Sequence, residues 1–200
     1  MQVMVLLFSF DDCIFSKMVS IEYKDGLETE RLITRYVTPN DLPAWMEYCN
    51  DPIATTFTKR DETPEELAQR FIDFTLKRYA EGLYGLQALI TKDTGQHIGM
   101  CGIMVQEVNG KQEIEVGYHL IRRHWGKGYA TEAAQMFRNY GFENNVADSI
   151  ISIIHPQNVQ SKAVALRNGM RLVETNAIFR EREYHLYRIA RKEWETQRSA

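Results

Sequence analysis

The stretch that most constrains this chain of 200 residues is the one where its periodicity changes. Up to Leu120 the sequence reads as short strands joined by tight turns. A glycine loop then runs from Arg122 to Gly128. An amphipathic helix is expected from about Ala130 to Glu143, and the apolar run Ile150-Ile151-Ser152-Ile153-Ile154 reads as a buried strand. Strand, helix and strand in that order form a crossover, and a crossover joins parallel strands. One parallel pair must therefore sit in a sheet whose first part is antiparallel.

The first part supports this. Glu30 to Val37 reads as a strand stopped by Thr38-Pro39, and Asn40 or Asp41 can cap a helix carrying Leu42, Trp45, Met46 and Cys49. Thr63-Pro64-Glu65-Glu66 is a helix start with the residues of a reciprocal cap. Leu67, Phe71, Phe74 and Leu76 follow as a stripe expected in the core. Tyr84 to Thr91, His97 to Glu107 and Gln112 to Leu120 read as strands, with turns at Asp93-Thr94-Gly95 and Asn109-Gly110. Beyond the crossover, a helix is expected from about Asn158 to Asn168, stopped by Gly169. Strands near Met170 to Glu174 and Tyr184 to Ala190 close the chain. The predicted class is α/β (α+β), a mixed sheet of six or seven strands with about four helices.

The hydrophobic share of 44% and charged share of 26% suit one globular domain, assigned to residues 27–200. Residues 1–26 are read as an N-terminal extension whose role the sequence leaves open between an added strand, an interface segment and upstream sequence preceding a start at Met18. The opening Met1 to Phe10 is apolar, but it lacks an early Lys or Arg and meets Asp11-Asp12. It is far shorter than the ~20 residues that span a bilayer. An exported or membrane-bound chain is therefore not expected. The net charge of −3 gives no basic field for nucleic acid. Cys13, Cys49 and Cys101 form neither a disulfide framework nor a metal set, so no metal is expected and the chain is placed in the cytoplasm.

A glycine loop between a strand and a helix is an anion-binding device. The first N–H groups of the helix lack intrahelical partners, and its dipole is positive there. Gly126 and Gly128 permit a close backbone approach, and Arg122, Arg123 and Lys127 add charge. A Walker loop is excluded, since Ile121 and Gly128 stand where it needs Gly and Ser or Thr. The dinucleotide fingerprint fails at Thr131, where a third Gly or Ala is required.

The run Glu115-Val116-Gly117-Tyr118-His119-Leu120, followed by Arg123-x-x-Gly126-x-Gly128-Tyr129-Ala130-Thr131-Glu132-Ala133, resembles the GNAT family of N-acetyltransferases. Asn158-x-x-Ser161, with Leu166 to Met170 after it, matches a second segment of that family. Glu28-Thr29-Glu30-Arg31-Leu32 and the tail from Tyr187 to Trp194 are similar to its ribosomal-protein alanine N-acetyltransferase subgroup. The resemblance covers about Leu27 to Trp194. Relatives often show Lys-x-Gly-Phe where this chain has Arg167-Asn168-Gly169-Met170.

The resemblance implies two central strands that splay apart and acetyl-CoA as cosubstrate, with no metal. Backbone N–H groups of His124, Trp125, Gly126, Lys127, Gly128 and Tyr129 would hold the CoA pyrophosphate, with Arg123 and Ala130 also counted as cofactor-binding. Val116 and Tyr118 would pair with the pantetheine arm. Asn158 would bond the pantetheine or acetyl region, although it also suits a helix cap. Ser161 would approach the thioester sulfur or a phosphate. The implied reaction is direct attack of a primary amine on the thioester in a ternary complex. It needs a base, an oxyanion donor and an acid for the sulfur. Alternation puts Glu113, Glu115, Gly117 and His119 on one strand face and Val116 and Tyr118 on the other. Glu115 is the candidate base, directly or through water, and Ser161 and Tyr184 are candidate acids. His119 and His155 read as structural. The acceptor is a protein N-terminus or a small-molecule amine, and Asp51, Asp61, Glu62 and Glu65 are available to attract a cationic one. The protein is expected as a monomer or homodimer. The competing reading is a non-catalytic CoA-binding module that keeps the loop and Asn158 but lacks a base.

Overall fold

The computed structural model describes residues 23–58 and 61–199. The apolar opening, the alternative start at Met18 and Cys13 lie outside the described residues. The elements run β1 (Leu32–Tyr36), α1 (Leu42–Cys49), α2 (Pro64–Ala80), β2 (Leu86–Thr91), β3 (His97–Val108), β4 (Lys111–Leu120), α3 (Tyr129–Glu143), β5 (Ser149–Ile154), α4 (Val159–Arg167), β6 (Arg171–Phe179), β7 (Arg182–Ala190) and α5 (Arg191–Ser199). The strands form one sheet in the order β1-β2-β3-β4-β5-β7-β6. Strands β1 to β4 are an antiparallel meander, β4 and β5 are parallel, and β7 is antiparallel to both β5 and β6. The crossover through α3 is thus the parallel joint that the sequence requires.

Local signals account for most of the punctuation. Asn109 and Gly110 take φ of 51° and 72°, the two left-handed positions of a tight hairpin turn. Thr63 accepts from the N–H of Glu66 at 3.2 Å while Glu66 reaches back to the N–H of Thr63 at 2.7 Å. The order of polar and apolar residues then decides the layers. Strand β3 is buried on both faces, so it reads as a nearly continuous apolar run. One face packs Cys101, Ile103 and Val116 against Ala133, Ala134 and Phe137 of α3. The other packs Met100, Met104 and Ala88 against Trp45, Leu67 and Ile72 of α1 and α2.

Two features differ from the sequence reading. The final helix α5 was not expected, because its only buried residue is Trp194. That ring lies 5.1 Å from Phe142, and Glu193 caps the helix by accepting from the N–H of Ala190 at 2.7 Å. Strand β6 also runs on to Phe179, because β6 and β7 turn through Arg180 and Glu181 at φ of 49° and 64°. No Gly or Asn marks that turn, so the hairpin was silent in the sequence.

Phe137 is fully buried between α3 and the sheet. Replacing it by Ala should lower the unfolding free energy by about 3–5 kcal/mol, read from the urea midpoint at constant slope. A loss below 1 kcal/mol would show that this layer is not the core.

Candidate active site

The parallel pair β4/β5 is joined at a single register position, Glu115 opposite Ile151. Beyond it the ladder stops for a visible reason. The Ser152 hydroxyl donates to the Val116 carbonyl at 2.9 Å, and the Ile153 N–H points at Oε1 of Glu115 at 3.4 Å instead of at main chain. The strands part from there. Val116 faces β5 with its carbonyl, so by alternation Tyr118 also turns its main-chain groups away from β3 and into the gap. The gap opens into a cleft of about 840 Å³.

At one end stands the glycine loop. Gly126 and Gly128 have φ of 72° and 85°, and Gly128 is the N-cap of α3. The first helical bond runs from the Glu132 N–H to the Gly128 carbonyl. Among the described residues no acceptor meets the N–H groups of Gly126, Lys127, Gly128, Tyr129, Ala130 and Thr131. These groups are the donors open to an anion. The N–H groups of His124 and Trp125 are not among them, since a tight turn bonds them to the carbonyls of Ile121 and Arg122. The arginine side chains are also turned elsewhere. Arg122 binds Asp51 at 2.5 Å, and Arg123 pairs with Glu47 of α1. The indole of Trp125 donates to the Leu120 carbonyl at 2.8 Å and fixes the entry to the loop.

The remaining predicted residues line the cleft: Glu115, Val116, Tyr118, Asn158, Ser161 and Tyr184, with His119 and His155. Asn158 caps α4, accepting from the Ser161 N–H at 3.0 Å. The Ser161 hydroxyl lies 2.8 Å from the Tyr118 hydroxyl, a pairing not read from the sequence. Tyr184 stands edge-on to His155, which stacks on Phe57 with centroids 4.7 Å apart. Phe74 was expected in the core, but it is 37% exposed and lines the cleft. It shares a helix face with Leu67 and Phe71, and beyond Phe71 that face overhangs the gap instead of the sheet.

Glu115 is buried, and burial pushes its carboxyl above the usual range against the pull of its hydrogen bonds. Gln106 donates to it at 2.8 Å. Gln106 was missed although its signal was available: the Asn109-Gly110 turn sets the register of β3 on β4, which places Gln106 opposite Glu113 and diagonal to Glu115. Glu113 is tied to Arg188 by a two-pronged ion pair at 2.7 and 2.9 Å. The acids proposed to draw a cationic acceptor include two that are committed: Asp51 to Arg122, and Glu62 to Arg70 at 2.6 Å. No group of three or more His, Cys, Asp or Glu side chains able to hold a metal occurs among the described residues.

His119 contacts the Tyr48 hydroxyl through Nδ1 at 3.1 Å and stands edge-on to Phe71. Burial and the charge of Arg70 lower its pKa to about 4. The folded state therefore binds this proton less readily than the unfolded chain, where a histidine titrates near 6.5. Its contribution to stability is present above that value and is lost as pH falls towards 4. The urea midpoint should drop between pH 7 and pH 5, and less so in His119→Gln. Equal drops in both proteins would contradict the assignment.

A family model described as "Acetyltransferase (GNAT) domain" matches residues 31–171. The uncharacterized N-acetyltransferase p20 of Bacillus licheniformis is 35% identical over 139 residues, covering 68% of this chain and 77% of that protein. The uncharacterized protein YkkB of Bacillus subtilis (strain 168) is 39% identical over 94 residues, and the match spans 46% of this chain and 55% of YkkB. Among solved structures, the acetyltransferase from Agrobacterium tumefaciens str. C58 has a TM-score of 0.69 at 30% identity, covering 82% of this chain and 92% of that one.

Proposed function

The chain belongs to the GNAT acetyltransferase family, and we propose that it transfers an acetyl group from acetyl-CoA to a primary amine. The observation that carries this reading is the conjunction of unpaired donors and an interrupted ladder. The N–H groups from Gly126 to Thr131 suit the CoA pyrophosphate, at the positive end of a 15-residue helix. The open edge of β4 at Tyr118 suits the pantetheine arm, which can hydrogen-bond there as an added strand would. The Val116 carbonyl is shared with Ser152, so Tyr118 offers the less encumbered main-chain groups.

The thioester then lies near the crotch of the splayed strands, beside Glu115. An amine must lose its charge before it attacks. A carboxylate with a raised pKa takes that proton more readily than an exposed one, directly or through a water. Attack at the carbonyl carbon forms the C–N bond and an oxyanion, and collapse expels the CoA thiolate. The Ser161 hydroxyl, paired with that of Tyr118, and the Tyr184 hydroxyl are the candidate donors to the sulfur. The acceptor is a protein N-terminus or a small-molecule amine. Phe57, Phe71, Phe74 and Phe179 line the cleft together with Arg70 and Arg182. We place the protein in the cytoplasm as a monomer or homodimer; among the described residues no helix is long and apolar enough to cross a membrane.

A thiol-release assay across amines and peptides tests the activity. Glu115→Gln should lower kcat/KM by roughly 10²–10⁴-fold and remove the rise of rate with pH through the Glu115 titration. Full activity in this variant would exclude Glu115 as the base. A Cβ at Gly126 meets nothing within 4 Å, but its φ of 72° strains any β-branched residue. Gly126→Val should raise the dissociation constant for CoA by roughly tenfold or more at an unchanged circular dichroism spectrum. Unaltered affinity would exclude the loop as the pyrophosphate site.

A further inference from the structure

Glu132 lies in the first turn of α3, beside the loop, where its negative charge competes with any anion for the positive field of the helix. The structure shows how that charge is contained. Arg31, just before β1, donates to Glu132 through Nε at 2.7 Å and pairs with it through Nη2 at 2.5 Å. The Arg31 N–H and the Thr29 hydroxyl donate to the other oxygen at 3.0 and 2.5 Å. Burial of the pair is uneven, with Glu132 17% and Arg31 43% exposed. These donors hold the Glu132 carboxyl below the usual carboxylate range.

Arg31 also reaches the loop itself. Its Nη1 donates to the Lys127 carbonyl at 2.9 Å, and its guanidinium lies over the Tyr129 ring at 4.6 Å. A peptide unit is planar and trans, so a carbonyl drawn towards Arg31 turns the N–H of Gly128 to the opposite side. A Cβ at position 128 would come within 3.3 Å of Nη2, so glycine also makes room for the guanidinium. Lys92 holds the other flank, donating to the Thr29 carbonyl at 2.6 Å and pairing with Glu28 at 2.8 Å.

We propose that Arg31 is a positioning residue for the cosubstrate: it draws the Glu132 charge to the β1 side and sets the Lys127–Gly128 peptide so that the loop receives the CoA pyrophosphate. This rests on the reading of the loop as the CoA site. It gives the Glu28–Leu32 run a purpose that strand formation alone does not.

Calorimetric titration with CoA, paired with steady-state kinetics, tests the proposal in the full chain. Wild type should bind CoA. Arg31→Ala should raise its dissociation constant about tenfold, in line with an uncompensated charge at a helix start, while the amine KM and kcat at saturating acetyl-CoA stay unchanged. Glu132→Gln in the Arg31→Ala background should restore most of the lost affinity. Arg31→Lys keeps the charge but cannot span Glu132 and Lys127 together, and should fall between the two. Unchanged CoA affinity in both Arg31 variants, a loss that Glu132→Gln does not relieve, or an equal rise in the amine KM would each overturn the clamp. Failure of wild type to bind CoA would overturn the site reading beneath it.

Discussion

The ladder between β4 and β5 ends after one register pair, and the site depends on that ending. A fully zipped parallel pair would spend the main-chain groups of β4 on β5 and close the gap. Two side chains prevent it. Ser152 takes the Val116 carbonyl, and Glu115 draws the Ile153 N–H to its carboxylate. The same carboxylate is the candidate base. One of the two groups that open the cleft is also the one that would work in it, buried and buttressed by Gln106. Its raised pKa follows from that position.

The glycine loop shows the complementary constraint. An unpaired N–H is costly where it is buried, and the loop residues Gly126, Lys127 and Gly128 are exposed. The loop can therefore wait with its donors open. The residues around it are less free than their charges suggest. Arg122 and Arg123 lie against acids of α1 and the loop that follows it, and Arg31 lies against Glu132. Attraction for an anion there is a property of the backbone and the helix dipole first.

Most of the architecture was legible in the sequence because it is written in local chemistry. The Asn109-Gly110 turn, the Thr63–Glu66 cap, the crossover through α3 and the seven-stranded mixed sheet follow from periodicity and turn residues. What escaped depends on long-range geometry. The turn at Arg180-Glu181 uses two residues with no left-handed preference, so strand pairing must impose it. Helix α5 rests on one buried ring, and Phe74 changes from core to cleft wall because the sheet gives way beneath it. The contacts Tyr118–Ser161 and Arg31–Glu132 join residues 43 and 101 positions apart. No spacing rule reaches that far.

Amide hydrogen exchange with and without CoA tests the central claim most directly. If the loop and the open edge of β4 hold the cosubstrate, the N–H groups from Gly126 to Thr131 and that of Tyr118 should exchange markedly more slowly once CoA is bound. His124 and Trp125, already bonded within their turn, should change little. CoA binding that leaves the Gly126–Thr131 amides unprotected would contradict the account.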